Sequence, residues 1–193
     1  MIAITCRKLC PEPLPDRIAR IADANPGMII LREKDLGHDA LLELASECLR
    51  VCEERNVPLS VNTDLDVARE LDICRVHLPL QAMRDAGDLS DFSMVGVSVH
   101  SPEEAAEAEG LGADYLIAGH IFPTACKIGA PRGTDYLRDV CESADIPVFG
   151  VGGITPGNYP EVIRAGAAGA AVMSSVMTSD DPGALVRALS GRP

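Results

Sequence analysis

Met94-Val95-Gly96-Val97-Ser98-Val99-His100, followed at once by Ser101-Pro102-Glu103-Glu104, sets the architecture of this chain. The first run is rich in β-forming residues and reads as a strand. The second run opens a helix. Ser101 is an N-cap, Pro102 sits in the first turn where its missing N–H costs nothing, and Glu104 stands three residues after the cap. A strand that runs straight into a capped helix is one βα unit, and the unit repeats in both directions. Toward the N-terminus, strands are expected at residues 2–6, 28–32, 58–62 and 75–78, with helices at 16–24, 39–55, 65–71 and shortly after the fourth strand. In the second helix Leu41, Leu42, Ala45, Cys48, Leu49 and Cys52 fall on one stripe, the spacing of an amphipathic helix. Toward the C-terminus, strands are expected at 115–119, 147–151 and 169–173, with helices at 134–143, 160–165 and 182–189.

Eight strands, each followed by a helix, predict an α/β protein: a closed parallel (β/α)8 TIM barrel. No linker, low-complexity stretch or charge run divides the chain, so residues 1–193 are expected to form a single compact TIM-barrel domain. The length lies near the lower limit of about 200 residues for this fold, which requires short loops.

Composition narrows the function classes. The chain is 47% apolar and 24% charged, as in a soluble globular protein. No run approaches about 18 consecutive apolar residues, so no membrane span is expected. The first residues enter Ile2-Ala3-Ile4-Thr5 without a basic region, apolar run and cleavage site, so no secretion signal is expected. A formal net charge of −12 argues against a nucleic-acid surface. It does not exclude a small anionic ligand, because a few cations can dominate one pocket. The seven cysteines, at 6, 10, 48, 52, 74, 126 and 141, are odd in number and contain no paired CxxC, so neither a disulfide framework nor a zinc site is indicated. Free buried thiols in a reducing cytoplasm fit best.

In barrels of this kind, active sites lie at the carboxyl ends of the strands. Gly152-Gly153 follows the seventh strand and Ser174-Ser175 the eighth, where this fold recurrently cradles phosphate. Gly lacks a Cβ, so backbone N–H groups there can approach an anion closely. Arg32 and Lys34 flank Glu33 at the end of the second strand and should project to one side, where they would hold a carboxylate or second anionic group. Asn62, Ser98 and Thr124, also near strand ends, are placed with them as substrate contacts, although Ser98 and Thr124 suit a structural role as well.

His120 ends the sixth strand, and an imidazole there could both take and give a proton. A structural histidine bonded to a neighbouring loop is the plainer alternative. His100 runs directly into a helix cap and reads as structural; His38 and His77 carry no supporting pattern. With the histidines scattered and no paired carboxylates, no metal site and no cofactor are expected. Lys127, with Arg132, could close over an anionic ligand on a loop given mobility by Gly129 and Gly133. Cys126 beside Lys127 has no base partner that would make it a nucleophile.

Taken together, Leu31-Arg32-Glu33-Lys34-Asp35, Gly96-Val97-Ser98-Val99-His100-Ser101, Gly112-Ala113-Asp114-Tyr115, Gly119-His120-Ile121-Phe122-Pro123-Thr124, Val151-Gly152-Gly153-Ile154-Thr155-Pro156 and Ala165-Gly166-Ala167-Ala168-Gly169 resemble the thiamine phosphate synthase/TenI superfamily. The resemblance covers essentially the whole chain. It implies the barrel, a phosphate site and a place in the thiazole half of thiamine metabolism.

Several positions depart from the synthase pattern. Ile30 stands where synthases carry Gln, and Asn62-Thr63 where they carry Asn-Asp, that Asp being a magnesium ligand. Asp64 comes one residue late. Pro79-Leu80-Gln81-Ala82 lacks the second metal carboxylate. Gly119-His120 replaces the usual Gly-Pro, and Gly119-His120-Ile121-Phe122, with Thr124, Cys126 and Lys127, is similar to the TenI-type tautomerases, in which the matching His is the proposed acid/base group.

The expectation is therefore an isomerase, a thiazole tautomerase of thiamine biosynthesis. It would convert the exocyclic-alkene dihydro form of a carboxythiazole phosphate to the aromatic thiazole, with His120 moving the proton and neither metal nor cofactor needed. The expected partner is a small phosphorylated thiazole, without nucleic acid or membrane, in a homo-oligomer (a dimer). The alternatives are a transferase, magnesium-dependent thiamine phosphate synthase, and a non-catalytic regulator that binds thiazole phosphate.

Overall fold

The computed structural model describes residues 1–124 and 129–190. Eight strands are hydrogen-bonded in sequence order as a closed barrel: β1 Ile2–Ile4, β2 Met28–Leu31, β3 Leu59–Asn62, β4 Arg75–Pro79, β5 Met94–Val99, β6 Tyr115–Gly119, β7 Val148–Val151 and β8 Gly169–Val172. The pairing is parallel, with Ile30 opposite both Ile4 and Ser60, Ser98 opposite Ile117, and Ala118 opposite Gly150. Every residue of β2 and β8 is buried, which is why these strands read as unbroken apolar runs.

The chain divides into two compact units. The first comprises Met1–Val76 and the described residues from Val172 onward. It holds β1 to β3 with helices α1 Leu14–Ala22, α2 His38–Glu53 and α3 Leu65–Glu70, then α8 Ser174–Thr178 and α9 Pro182–Leu189. Ile18 and Ile21 of α1 and Ala45, Cys48 and Cys52 of α2 are fully buried in it. Burial pushes the Cys48 and Cys52 thiols well above their ordinary range, so they act as small apolar groups. The second unit, His77–Ala171, holds β5 to β7 with α4 Leu80–Asp85, α5 Pro102–Gly110, α6 Gly133–Glu142 and α7 Tyr159–Arg164.

Most boundaries fall within two residues of those read from the sequence. The first strand stops at Ile4 rather than residue 6, and Arg7–Leu9 turns into a short 3-10 helix. The Thr5 side chain is drawn instead onto Glu33, 28 residues away. Helix α1 begins at Leu14, because Pro15 occupies its first turn. The short helix α8 opens immediately after β8, with Met173 as its N-cap.

Candidate functional site

In the first unit, the residues after β2 are organised by a buried carboxylate. Glu33 is 6% exposed and accepts hydrogen bonds from Thr5 Oγ1 at 2.7 Å and from the Arg7 backbone N–H at 2.9 Å. Its other oxygen lies 3.1 Å from Arg7 Nη1. Thr5 Oγ1 in turn accepts from the Arg32 backbone N–H at 2.9 Å. Asp35 receives two more bonds from the Arg7 guanidinium, each at 2.7 Å, and Lys8 approaches it at 2.9 Å. The two acids of Arg32-Glu33-Lys34-Asp35 are thus committed to Arg7 and Lys8. Arg7 was not singled out in the sequence, since nothing local in the chain marks a partner 26 residues from Glu33.

The two cations of that motif are left outside this network. Arg32 is half-buried, with Nη1 3.9 Å from Met173 Sδ, and Lys34 is exposed. The Arg32 charge, and then partial desolvation, lower the Lys34 ammonium from its ordinary value. Lys34 also lines a cavity of about 630 Å³ with Glu33, Asn62, Thr63, Asp64 and Arg69. Asn62 donates from Nδ2 to Thr63 Oγ1 at 2.7 Å. Ser174 and Ser175 are half-buried at the start of α8.

A magnesium site of the kind the family resemblance implies does not fit these residues. Thr63, at the position of the missing acid, has a φ of +72°. Asp64 is the N-cap of α3; its Oδ1 accepts from the Val67 N–H at 3.0 Å and lies 4.0 Å from His38 Nδ1. Its carboxylate is committed to the helix end. Among the described residues, no group of three or more His, Cys, Asp or Glu side chains is arranged to hold a metal ion.

In the second unit, His120 is 6% exposed, and neither ring nitrogen has a hydrogen-bond partner among the described residues. Its seat is made by Gly152, where an added Cβ would stand 2.3 Å from His120 Cβ; Gly152 also has a φ of +97°. At Gly153, with a φ of +66°, an added Cβ would stand 2.4 Å from the Pro123 carbonyl. The Gly-Gly pair therefore admits the loop after β6 at close range. That packing alone accounts for both glycines, so their presence is not by itself a mark of phosphate.

Arg132, expected to act as a lid cation, is held differently. Its guanidinium donates to the His100 carbonyl and lies 4.9 Å above the Tyr136 ring, and its backbone N–H donates to the His120 carbonyl at 3.0 Å. Arg132 is thus bonded to His100 and His120 and stacked on Tyr136. His100 itself is tied to Glu104, which accepts from its backbone N–H at 2.6 Å. Thr124 is half-buried. Lys127 and Cys126 lie outside the described residues.

His77, given no role from the sequence, joins two hydroxyls. Its Nδ1 is 3.1 Å from Tyr115 Oη and its Nε2 is 2.8 Å from Ser98 Oγ. Ser98 thus bonds to a buried imidazole while itself remaining partly accessible.

The barrel, with these polar groups at its strand ends, defines the class: a (β/α)8 enzyme scaffold. The chain belongs to the TMP-TENI family, described as thiamine monophosphate synthase, which matches residues 1–176. It is 36% identical to the thiamine-phosphate synthase of Haloarcula marismortui, covering 89% of this chain and 85% of that protein. It is 39% identical to the thiamine-phosphate synthase of Roseiflexus castenholzii, over 96% and 84%. A bifunctional thiamine biosynthesis protein ThiM/ThiE of Symbiobacterium thermophilum is 40% identical over 91% of this chain, which spans only 38% of that longer protein. Among solved structures, thiamine phosphate pyrophosphorylase from Pyrococcus furiosus superposes with a TM-score of 0.84 at 32% identity, covering 98% of this chain and 93% of that one.

These relatives overturn the expectation of an isomerase. Proteins 36–39% identical over most of the chain bear the name of the synthase, a transferase. The tautomerase reading rested on one loop and a few missing acids. Loops vary more freely than the elements they join, so a loop motif weighs less than likeness along the whole barrel. No helix of the described residues is long and apolar enough to cross a membrane.

Proposed function

We propose that this protein is a thiamine-phosphate synthase, which joins a pyrimidine pyrophosphate to a thiazole phosphate and releases pyrophosphate. The observation that carries the reading is the 36–39% identity, over most of the chain, to proteins of that name. The chemistry asks little acid–base work of the protein. The thiazole nitrogen attacks with its own lone pair, and the C–O bond electrons leave with pyrophosphate, so positioning and charge stabilisation dominate.

The chain's residues suit those tasks. Arg32 and Lys34, freed by the commitment of Glu33 and Asp35 to Arg7, are cations available to an anionic group. Asn62, Ser98 and Thr124 are polar contacts, and Lys127 a further cation. Backbone N–H groups of Gly152 and Gly153 in the second unit, and of Ser174 and Ser175 in the first, are assigned to phosphate oxygens. His120 is assigned to a polar atom of the substrate, which would satisfy a ring that is otherwise buried without partners among the described residues.

A second reading, a thiazole phosphate binder without turnover, is favoured by one feature: Asp64 is spent on capping α3, and Thr63 replaces an acid. Incubating the protein with both substrates and Mg²⁺, then assaying by mass spectrometry, separates the two. Thiamine phosphate is expected; bound thiazole phosphate with no coupled product would favour the binder.

A further inference from the structure

Gly96 is the key to a buried arrangement in the second unit. A Cβ added there would stand 1.9 Å from Tyr115 Cζ and 2.4 Å from its hydroxyl oxygen. The Tyr115 ring therefore lies across the space that any other residue at 96 would fill, and this brings its hydroxyl to His77 Nδ1. Phe149 meets the ring edge-on, with centroids 6.0 Å apart. His77 and Tyr115 are each 4% exposed, whereas Ser98, at the far end of the chain of bonds, is partly accessible.

A neutral imidazole has one N–H and one lone pair, so this chain has a direction. In one direction Tyr115 donates to Nδ1, the imidazole proton sits on Nε2, and Nε2–H donates to Ser98 Oγ. In the other, Ser98 donates to Nε2 and Nδ1–H donates to Tyr115. A phenol, with a pKa near 10, is far more acidic than an aliphatic hydroxyl and so is the better donor to an imidazole nitrogen. The first direction is therefore the favoured one.

We infer that Tyr115 and His77 are positioning residues that fix the polarity of Ser98, presenting its hydroxyl as a hydrogen-bond donor to an acceptor atom of the substrate. Nε2–H occupies a lone pair of Ser98 Oγ, so the serine proton is left to turn toward the ligand. The acceptor is a ring nitrogen or a phosphoryl oxygen. The catalytic part of this inference rests on the synthase reading; the polarity itself does not.

The test therefore has two arms. Long-range ¹⁵N NMR of the substrate-free protein should show His77 protonated on Nε2 and bare on Nδ1. Tyr115→Phe, which keeps the ring, should shift His77 toward a mixture of tautomers, and Gly96→Ala, which expels the ring, should do the same. Protonation of His77 on Nδ1, or on both nitrogens, would overturn the inference whatever the protein catalyses.

In the coupling assay, Tyr115→Phe should lower kcat/KM by up to about tenfold, the range of one hydrogen bond. Ser98→Ala should lower it at least as much, and the substrate whose KM rises carries the acceptor. The double variant should match Ser98→Ala alone, because Tyr115 acts only through the serine. If Tyr115→Phe adds its full effect on top of Ser98→Ala, the tyrosine is merely structural and the inference fails.

Discussion

Two buried polar groups in this protein stand in opposite conditions. Glu33, in the first unit, has both carboxylate oxygens hydrogen-bonded, to Thr5 and to the backbone and side chain of Arg7. His120, in the second, has two buried ring nitrogens with no partner among the described residues. A buried polar group left unpaired costs about 1–3 kcal/mol, so the two side chains should respond oppositely to deletion. Glu33 builds its strand end, whereas His120 is the group that the proposed function assigns to the substrate.

Removing Glu33 should have the largest effect. Glu33→Ala strands the Thr5 hydroxyl and the Arg7 N–H and leaves Arg7 without one of its two acids. Loss of about 3 kcal/mol of unfolding free energy is expected in urea titration, at the low end of the range for breaking a buried ion pair because Arg7 is partly solvated. A loss under about 1 kcal/mol would mean the carboxylate does not organise this strand end.

His120→Leu should behave in the opposite sense. The substitution deletes two unsatisfied nitrogens, so stability should stay the same or rise by about 1 kcal/mol while turnover falls. A destabilisation as large as that of Glu33→Ala would erase the contrast and make His120 a structural residue.

Asp35 offers the smallest and most conditional effect. Hydrogen bonds from Arg7 and Lys8 hold its carboxyl below the usual carboxylate range. A depressed folded-state pKa contributes stability above the unfolded value of about 3.9, and that contribution is lost as pH falls further, through the folded value. The Tm difference between wild type and Asp35→Asn should therefore shrink from pH 7 toward pH 2.5. A difference that grew in acid would reverse the sign of the linkage. The carboxylate is exposed, so the change will be slight and weaker still in high salt.

The fold was legible because each strand is a short β-rich run and several helices carry their own start signals, as Ser101 and Asp64 do. The strand ends were less so. β1 stops early because Thr5 reaches Glu33, a contact between residues 28 apart. Arg32 and Lys34 could be picked out by the alternation of their motif, but Arg7 could not. His77 carried no local pattern because its hydrogen bond is to Tyr115, 38 residues away, and depends on the absence of a side chain at Gly96.

The Gly152-Gly153 pair was read as a cradle, yet its first service is to admit His120 and the Phe122-Pro123 backbone. The reaction is misread from the sequence for a related reason: the His120 loop after β6 resembles one branch of the superfamily, whereas the likeness to named synthases is spread over the whole barrel.

The central claim, that this chain couples two substrates rather than isomerising or storing one, is tested most directly by counting pyrophosphate. The protein is incubated with pyrimidine pyrophosphate and thiazole phosphate in Mg²⁺ buffer, and then with each substrate omitted in turn. The account predicts one pyrophosphate released per thiamine phosphate formed, and none unless both substrates are present. Saturable binding of thiazole phosphate with no pyrophosphate released above the protein-free control would contradict it.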